Sequence, residues 1–304
     1  MENQCSSVNG NTFEEVSMNL DVSLMSGAGN TFVVMDNRKH KISVAEGCEL
    51  AQTLCAASEH LPRTEGMMLI DDAPSGSGLN FVMQFFNPDG SHGAMCGNGG
   101  RCAVHFAERH GFFHAAHTPE IWLAAPETKY KAEINRMSNT VRLFFPEPEE
   151  IDFPMLLTLD DGMKITAGFV NVGSDHAVIW FPEAGGVIQA GFNGFDINKW
   201  GAMVRHNKAF PNGANANFYT IIGEQTIRLR TFERGVEAET GACGTGAIST
   251  AIIAHLRHEM MPPIHIFPPS GSELIVNFFM NHGGLDEISL EGGAQVLKTV
   301  TMSV

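Results

Sequence analysis

Metal-site spacings are missing from this chain of 304 residues. It has no C-x-x-C pair and no H-E-x-x-H, and none of its thirteen histidines stands in a zinc pattern with cysteine. A metal is therefore not expected. No apolar run approaches the ~18 residues needed to span a bilayer, which excludes a helical membrane protein. The first eighteen residues, MENQCSSVNGNTFEEVSM, carry neither the basic start nor the apolar stretch of a secretory signal. They read as a polar extension, with the cytoplasm as the default location. Acidic residues outnumber basic ones, 34 to 19, for a net charge of −15, and no Lys/Arg run offsets the excess. Nucleic acid and anionic membranes are excluded as partners on that balance. Six cysteines in a long chain without an export signal are expected to be thiols, most of them structural.

What the chain does have is a near-repeat. Cys96-Gly97-Asn98-Gly99 and Cys243-Gly244-Thr245-Gly246 lie 147 residues apart, about half the chain, and each opens an apolar segment. The spacing predicts two similar half-molecules of ordinary domain size, each presenting one cysteine at the start of a helix. Alternating β-rich runs at 80–87, 140–145, 217–222, 225–232, 273–280 and 286–291 predict that strands dominate. Helices are expected at 43–59 and after each of the two cysteines. The last two are apolar on most faces, so they should be surrounded. The fold class that follows is α+β: two similar domains, each a curved antiparallel sheet or barrel around a central helix. A linker is expected at 146–150, Pro-Glu-Pro-Glu-Glu. That sets the boundaries at 1–18 for the extension, 19–146 for the first domain and 147–292 for the second.

A helix start carries unsatisfied N–H groups and about half a positive charge. It favours a carboxylate or a thiolate there and lowers a thiol's pKa from about 8.5. If both helix starts serve one substrate, they can hold its carboxylate while a sulfur stands on either side of the adjacent carbon. One thiolate then removes the α-proton and the opposite thiol returns one to the other face. The charge developing on the carboxylate is stabilised by the N–H groups. No organic cofactor is called for. Cys102, six residues after Cys96, diverges from it by about 240° on a helix and reads as packing, and Cys48 and Cys55 read as core.

The residues around these motifs resemble the diaminopimelate epimerase family. Ser26-Gly27-Ala28-Gly29-Asn30-Thr31-Phe32 is similar to its N-terminal motif, which makes Asn30 a substrate contact. Phe86-Asn87-Pro88-Asp89-Gly90 is similar to the turn that supplies a second, Asn87. Met95 to Cys102 matches the first catalytic motif, implying Cys96 as acid or base and Gly97 and Asn98 as carboxylate binders. Asn215-Ala216-Asn217-Phe218 implies Asn215 as a further contact. Glu233-Arg234-Gly235-Val236, followed by Ala242 to Ala247, matches the second catalytic motif. There the resemblance implies Cys243 as the partner thiol, Gly244 and Thr245 as carboxylate binders, and Glu233 and Arg234 as holders of the distal amino-acid group. His176, and Glu233 in a second role, are implied as supporting groups near the thiols. The last dozen residues, 293–304, are implied to return to the first domain.

The implied activity is a cofactor-independent interconversion of LL- and meso-diaminopimelate, a step of lysine and peptidoglycan precursor synthesis. Departures bear on the substrate. Gly173-Ser174-Asp175-His176 stands where the family reads Gly-Asn-Pro-His, replacing a binding Asn by Ser174. Glu65-Gly66-Met67 stands where it reads Phe-Asp-Gln, so Met67 replaces a polar contact, and the usual His is Ser26. A related racemase with another substrate is the nearest alternative. A silent ligand-binding or thiol redox protein on the same scaffold is the alternative of another class. The partner expected is a small amino acid, with a homodimer left open.

Overall fold

The computed structural model describes residues 18–93, 95–114, 116–126, 128–184, 191–281 and 284–303. The polar extension, apart from Met18, lies outside these residues. The chain divides into two compact units, one comprising residues up to Leu143 together with Gly293 onward, the other Phe144–Gly292.

The first unit runs β1 (Asn19–Gly27), β2 (Asn30–Asp36), α1 (Val44–Leu54), β3 (Met67–Asp72), β4 (Phe81–Phe86), α2 (Gly97–Arg109), β5 (Ile121–Ala125), β6 (Thr128–Asn135) and β7 (Thr140–Phe144). The second runs β8 (Glu150–Thr158), β9 (Lys164–Asn171), β10 (Asp175–Trp180), α3 (Phe181–Ala184), α4 (Ile197–Arg205), β11 (Asn215–Gly223), β12 (Thr226–Glu233), β13 (Ala238–Glu239), α5 (Gly244–His258), β14 (Ile264–Phe267), β15 (Leu274–Asn281) and β16 (Gly284–Ser303). β16 serves both: Gly284–Gly292 pairs with β15, and Ala294–Ser303 pairs with β1. In the first unit the order β1 to β7 continues to β16, which returns to β1, so eight strands close into a barrel. In the second the order is β16-β15-β14-β12-β11-β10-β9-β8, with β13 added to β12.

The sheets are mixed rather than antiparallel, which corrects the expectation. β2 pairs with β3, β4 with β5, β10 with β11 and β12 with β14 in parallel. A parallel pair needs a crossover, and each of these crossovers carries helix: α1, α2, α3 with α4, and α5. Consequently α2 in one unit and α5 in the other occupy the same topological slot, between the strands of a parallel pair.

α2 packs on β1, β2, β3 and β4, and α5 packs on β9, β10, β11, β12, β14 and β15. From Ala247 to Ala254 α5 is wholly buried, as its apolar composition demands. α1 begins with a capping box, Ser43 accepting from the Glu46 N–H while the Glu46 carboxylate accepts from the Ser43 N–H. It stops at Leu54, short of the expected Glu59. There Ser58 accepts from the backbone N–H groups of His60 and Leu61, turning the chain away from the helix. Cys48, expected as a thiol, is disulfide-bonded, whereas Cys55, Cys96, Cys102 and Cys243 are in the thiol form. Among the described residues no helix is long and apolar enough to cross a membrane.

Candidate functional site

In the first unit Cys96 is the N-cap of α2, with extended backbone (φ −99°, ψ 117°), and its sulfur accepts from the Gly99 N–H at 3.5 Å. Gly97, Asn98 and Gly99 form the first turn and are buried. The β1–β2 hairpin closes against that turn. Ala28 and Gly29 both have positive φ, which matches the twist of a two-residue hairpin, and Gly27 pairs with Asn30 across it. A Cβ at Gly27 would lie 2.5 Å from the Asn98 carbonyl oxygen, so only glycine lets the strand approach so closely. Asn30 is thereby held, 6% exposed, at the hairpin end that meets Asn98. Asn87 lies in the turn after β4, where its Nδ2 donates to Ser91 Oγ at 2.9 Å.

Beneath this turn lies Arg101, fully buried, which no sequence signal singled out. Its Nη2 donates to Asn98 Oδ1 at 2.7 Å and its Nη1 to the Gly97 carbonyl at 3.3 Å. Among the described residues its Nε has no hydrogen-bond partner. Burial lowers its pKa to about 10, with Cys102 and Cys96 drawing it back up, so it remains a cation at neutral pH. Cys102 is sealed away, and burial pushes its thiol up to about 12, which leaves it inert as expected. Met67 does not face this site. It belongs to the apolar cluster of Val33, Leu69 and Phe86. Strand alternation turns Met68 instead toward the α2 start, with its Sδ 3.3 Å from where a Cβ of Gly99 would be.

In the second unit Cys243 is the N-cap of α5, with a nearly identical backbone (φ −118°, ψ 114°). It is 6% exposed and its sulfur lies 3.6 Å from Thr245 Oγ1. Here the structure gathers residues from four elements. His176 of β10 places Nε2 2.9 Å from both Thr245 Oγ1 and Ser174 Oγ, and Ser174 Oγ is 3.3 Å from Thr245 Oγ1. On the other side of the ring Asn217 Nδ2 lies 3.0 Å from His176 Nδ1. Burial, with the Arg234 charge adding to it, lowers the His176 pKa to about 3, so the ring is neutral. Burial likewise raises the Glu233 carboxyl, while hydrogen bonding, the Cys243 thiol among its partners, opposes the rise. Asn215 accepts from the Arg234 N–H at 2.8 Å and donates to the Asp175 carbonyl at 3.0 Å. The Arg234 guanidinium extends to the surface, where it bonds to the Asn212 carbonyl and meets Asp175 at 3.6 Å.

Each unit therefore holds a thiol at a glycine-flanked helix start, with a buried polar network behind it. Asn217, Thr231 and Arg101 are structural members that spacing did not reveal.

The family whose sequence model is described as "Diaminopimelate epimerase" matches residues 22–118 and 168–277. The chain is 34% identical over 285 residues to a diaminopimelate epimerase of Chlorobaculum tepidum, covering 92% of this chain and all of that protein. It is 32% identical to one from Aquifex aeolicus, with 88% and 92% covered. In fold it is similar to a hydroxyproline epimerase from Agrobacterium vitis, solved with bound trans-4-OH-L-proline (TM-score 0.64, 15% identity, 94% and 93% covered). A methylitaconate-delta-isomerase is similar to the same degree (TM-score 0.64, 12% identity, 95% and 96% covered).

Proposed function

Because the chain belongs to the diaminopimelate epimerase family, and is thus an isomerase acting on diaminopimelate, we propose that Cys96 and Cys243 are its acid/base pair. The observation that carries this reading is the equivalence of the two cysteines. Each is the N-cap of the crossover helix in the second parallel β-α-β unit of its half, with extended backbone and glycine at the first and third helical positions. The chain builds the same thiol site twice, and a two-base inversion needs two such groups.

One thiolate takes the α-proton and the other thiol supplies a proton to the resulting carbanion, so protons and charge balance over the turnover. N–H groups of Gly97 and Asn98, and of Gly244 and Thr245, receive the α-carboxylate and the charge that flows into it. Asn30, Asn87, Asn215, Glu233 and Arg234 serve substrate placement. Glu233, which hydrogen-bonds Cys243, and His176 support that thiol. The enzyme acts in the cytoplasm on a small amino acid, with LL- and meso-diaminopimelate as the interconverted pair.

The test is deuterium incorporation at the α-carbon of LL-diaminopimelate in heavy water without added cofactor, beside chiral analysis. Wild-type enzyme should exchange and form the meso isomer, and Cys96→Ser and Cys243→Ser should each lose at least about 10³-fold in rate. Exchange that survives both substitutions rules the pair out.

A further inference from the structure

Hydrogen-bond direction at His176 is fixed from behind. Asn217 is fully buried, and its Nδ2 lies 3.1 Å from the Ala177 carbonyl and 3.2 Å from the Asn215 carbonyl. Carbonyl oxygens only accept, so the amide must present its NH₂ on that side. Its Oδ1 lies on the other side, where it accepts from Thr231 Oγ1 at 2.9 Å. That oxygen also sits against Gly246 in the first turn of α5, at the positive end of the helix. The same nitrogen lies 3.0 Å from His176 Nδ1; it shares two hydrogens among three acceptors and can accept from none, so Nδ1 is the accepting side and carries no proton. A neutral imidazole whose Nδ1 accepts carries its proton on Nε2.

The rest of the chain follows in order. Nε2–H donates and cannot accept, so the Ser174 hydroxyl proton cannot go to the ring and goes to Thr245 Oγ1 at 3.3 Å. Thr245 Oγ1 accepts from Ser174 and shares with Ser174 Oγ the single Nε2–H, 2.9 Å from each, so neither of these neighbours can take the Thr245 proton. Its own proton has the Cys243 sulfur, at 3.6 Å, to point at. We propose that Asn217 is a positioning residue: by locking His176 as the Nε2–H tautomer it sets the Thr245 hydroxyl as a donor to Cys243, which stabilises the thiolate of that residue. His176 acts here as a fixed donor through Thr245 and takes no proton from the sulfur. The charged and titratable groups around this chain are Glu233, which hydrogen-bonds Cys243, and Arg234 with Asp175 beyond Asn215. None of them lies between the ring and Thr245. The inference rests on the reading of Cys243 as one of the two acid/base groups.

The test uses the whole enzyme with nitrogen-15 histidine. Two-bond nitrogen–proton NMR correlations, assigned with His176→Gln, report which ring nitrogen carries the proton. Nε2–H with bare Nδ1 is expected from about pH 5 to 9. Iodoacetamide alkylation of Cys243 at neutral pH, resolved by mass spectrometry, reads its thiolate population. Thr245→Val should slow it about tenfold, the equivalent of one pKa unit, and Thr245→Ser should bring it back to within about twofold. Asn217→Leu should mix the tautomers and slow alkylation alike. A proton on Nδ1 of the wild-type enzyme, an imidazolium in this range, or alkylation of Thr245→Val at the wild-type rate overturns the proposal. So does an Asn217→Leu enzyme that folds and keeps the Nε2–H tautomer. If Asn217→Leu does not fold, the wild-type tautomer and the Thr245 pair decide. Should Cys243→Ser keep epimerase activity, the assignment of the acid/base pair fails, while the NMR and alkylation results still judge the hydrogen-bond chain on their own.

Discussion

Gly27 and the Asn98 carbonyl meet so closely that a single methyl group at residue 27 would stand 2.5 Å from the oxygen and 3.1 Å from Cys102 Sγ. The obstacle is helix backbone rather than a side chain that can swing aside. Gly27→Ala must therefore push the start of α2, and Cys96 with it, away from β1. The expected cost is about 1–3 kcal/mol of stability and about 10²-fold in kcat. Urea denaturation and steady-state kinetics check the two separately, and an enzyme with wild-type kcat would show that the contact does not position the thiol.

The second half carries the matching constraint. A Cβ on Gly246 would come within 2.5 Å of Asn217 Oδ1 and 3.2 Å of Cys243 Sγ. Gly246→Ala is expected to lower kcat by about 10²-fold while the protein stays folded at 25 °C, as followed by circular dichroism. Its effect on Cys243 alkylation should exceed its effect on Cys96, because the displaced groups, Asn217 Oδ1 of β11 and Cys243 Sγ, both lie against the α5 start.

Arg101 is a buried cation answered by an amide oxygen, a carbonyl and nearby sulfur. Arg101→Met keeps most of the volume and removes the charge. It also leaves the Asn98 amide oxygen and the Gly97 carbonyl without this donor, so the expected cost is about 1–3 kcal/mol in unfolding free energy. Alkylation of Cys96 at neutral pH should slow about tenfold. Arg101→Lys should not restore it, since one ammonium cannot reproduce the forked contact to Asn98 and Gly97. Unchanged alkylation in Arg101→Met would show that the charge does not act on Cys96.

His176 titrates near 6.5 in the unfolded chain and near 3 in the fold. Between those values the unfolded state binds a proton that the folded state refuses, so stability falls as pH drops through this window. The slope is about 1.4 kcal/mol per pH unit from this residue. Glu233 works in the opposite sense just above its ordinary range, since its raised folded pKa adds stability that is lost as pH rises. Urea midpoints at about pH 7, 6 and 5 should therefore decline in the wild type and decline less in His176→Gln. Parallel declines would mean that the ring is protonated in the fold.

Ser174, which the resemblance places at a substrate-binding position, has its hydroxyl engaged with His176 and Thr245 at 2.9 and 3.3 Å. Ser174→Ala should lower kcat, by about tenfold, with KM changing less than about twofold. A rise in KM alone would return the position to substrate contact.

Much of this protein was written in contiguous residues. The two Cys-Gly-x-Gly strings, the helix that each one opens and the strand runs expected at 140–145, 217–222 and 225–232, found as β7, β11 and β12, depend on neighbours along the chain, and sequence periodicity reports such neighbours directly. The parallel pairing of β2 with β3 or β12 with β14 is not local. It is decided when a crossover helix brings distant strands side by side. Strand alternation likewise decided that Met68 rather than Met67 faces the α2 start, since a shift of one residue reverses the face. The sequence by itself determined the two thiols and the glycines beside them, because these are fixed by residue identity and short spacing. Only the tertiary structure decided how the second thiol is supported. Asn217, His176, Thr245 and Cys243 come from three separated segments, and the direction of a hydrogen bond exists only once its donor and acceptor have been brought face to face.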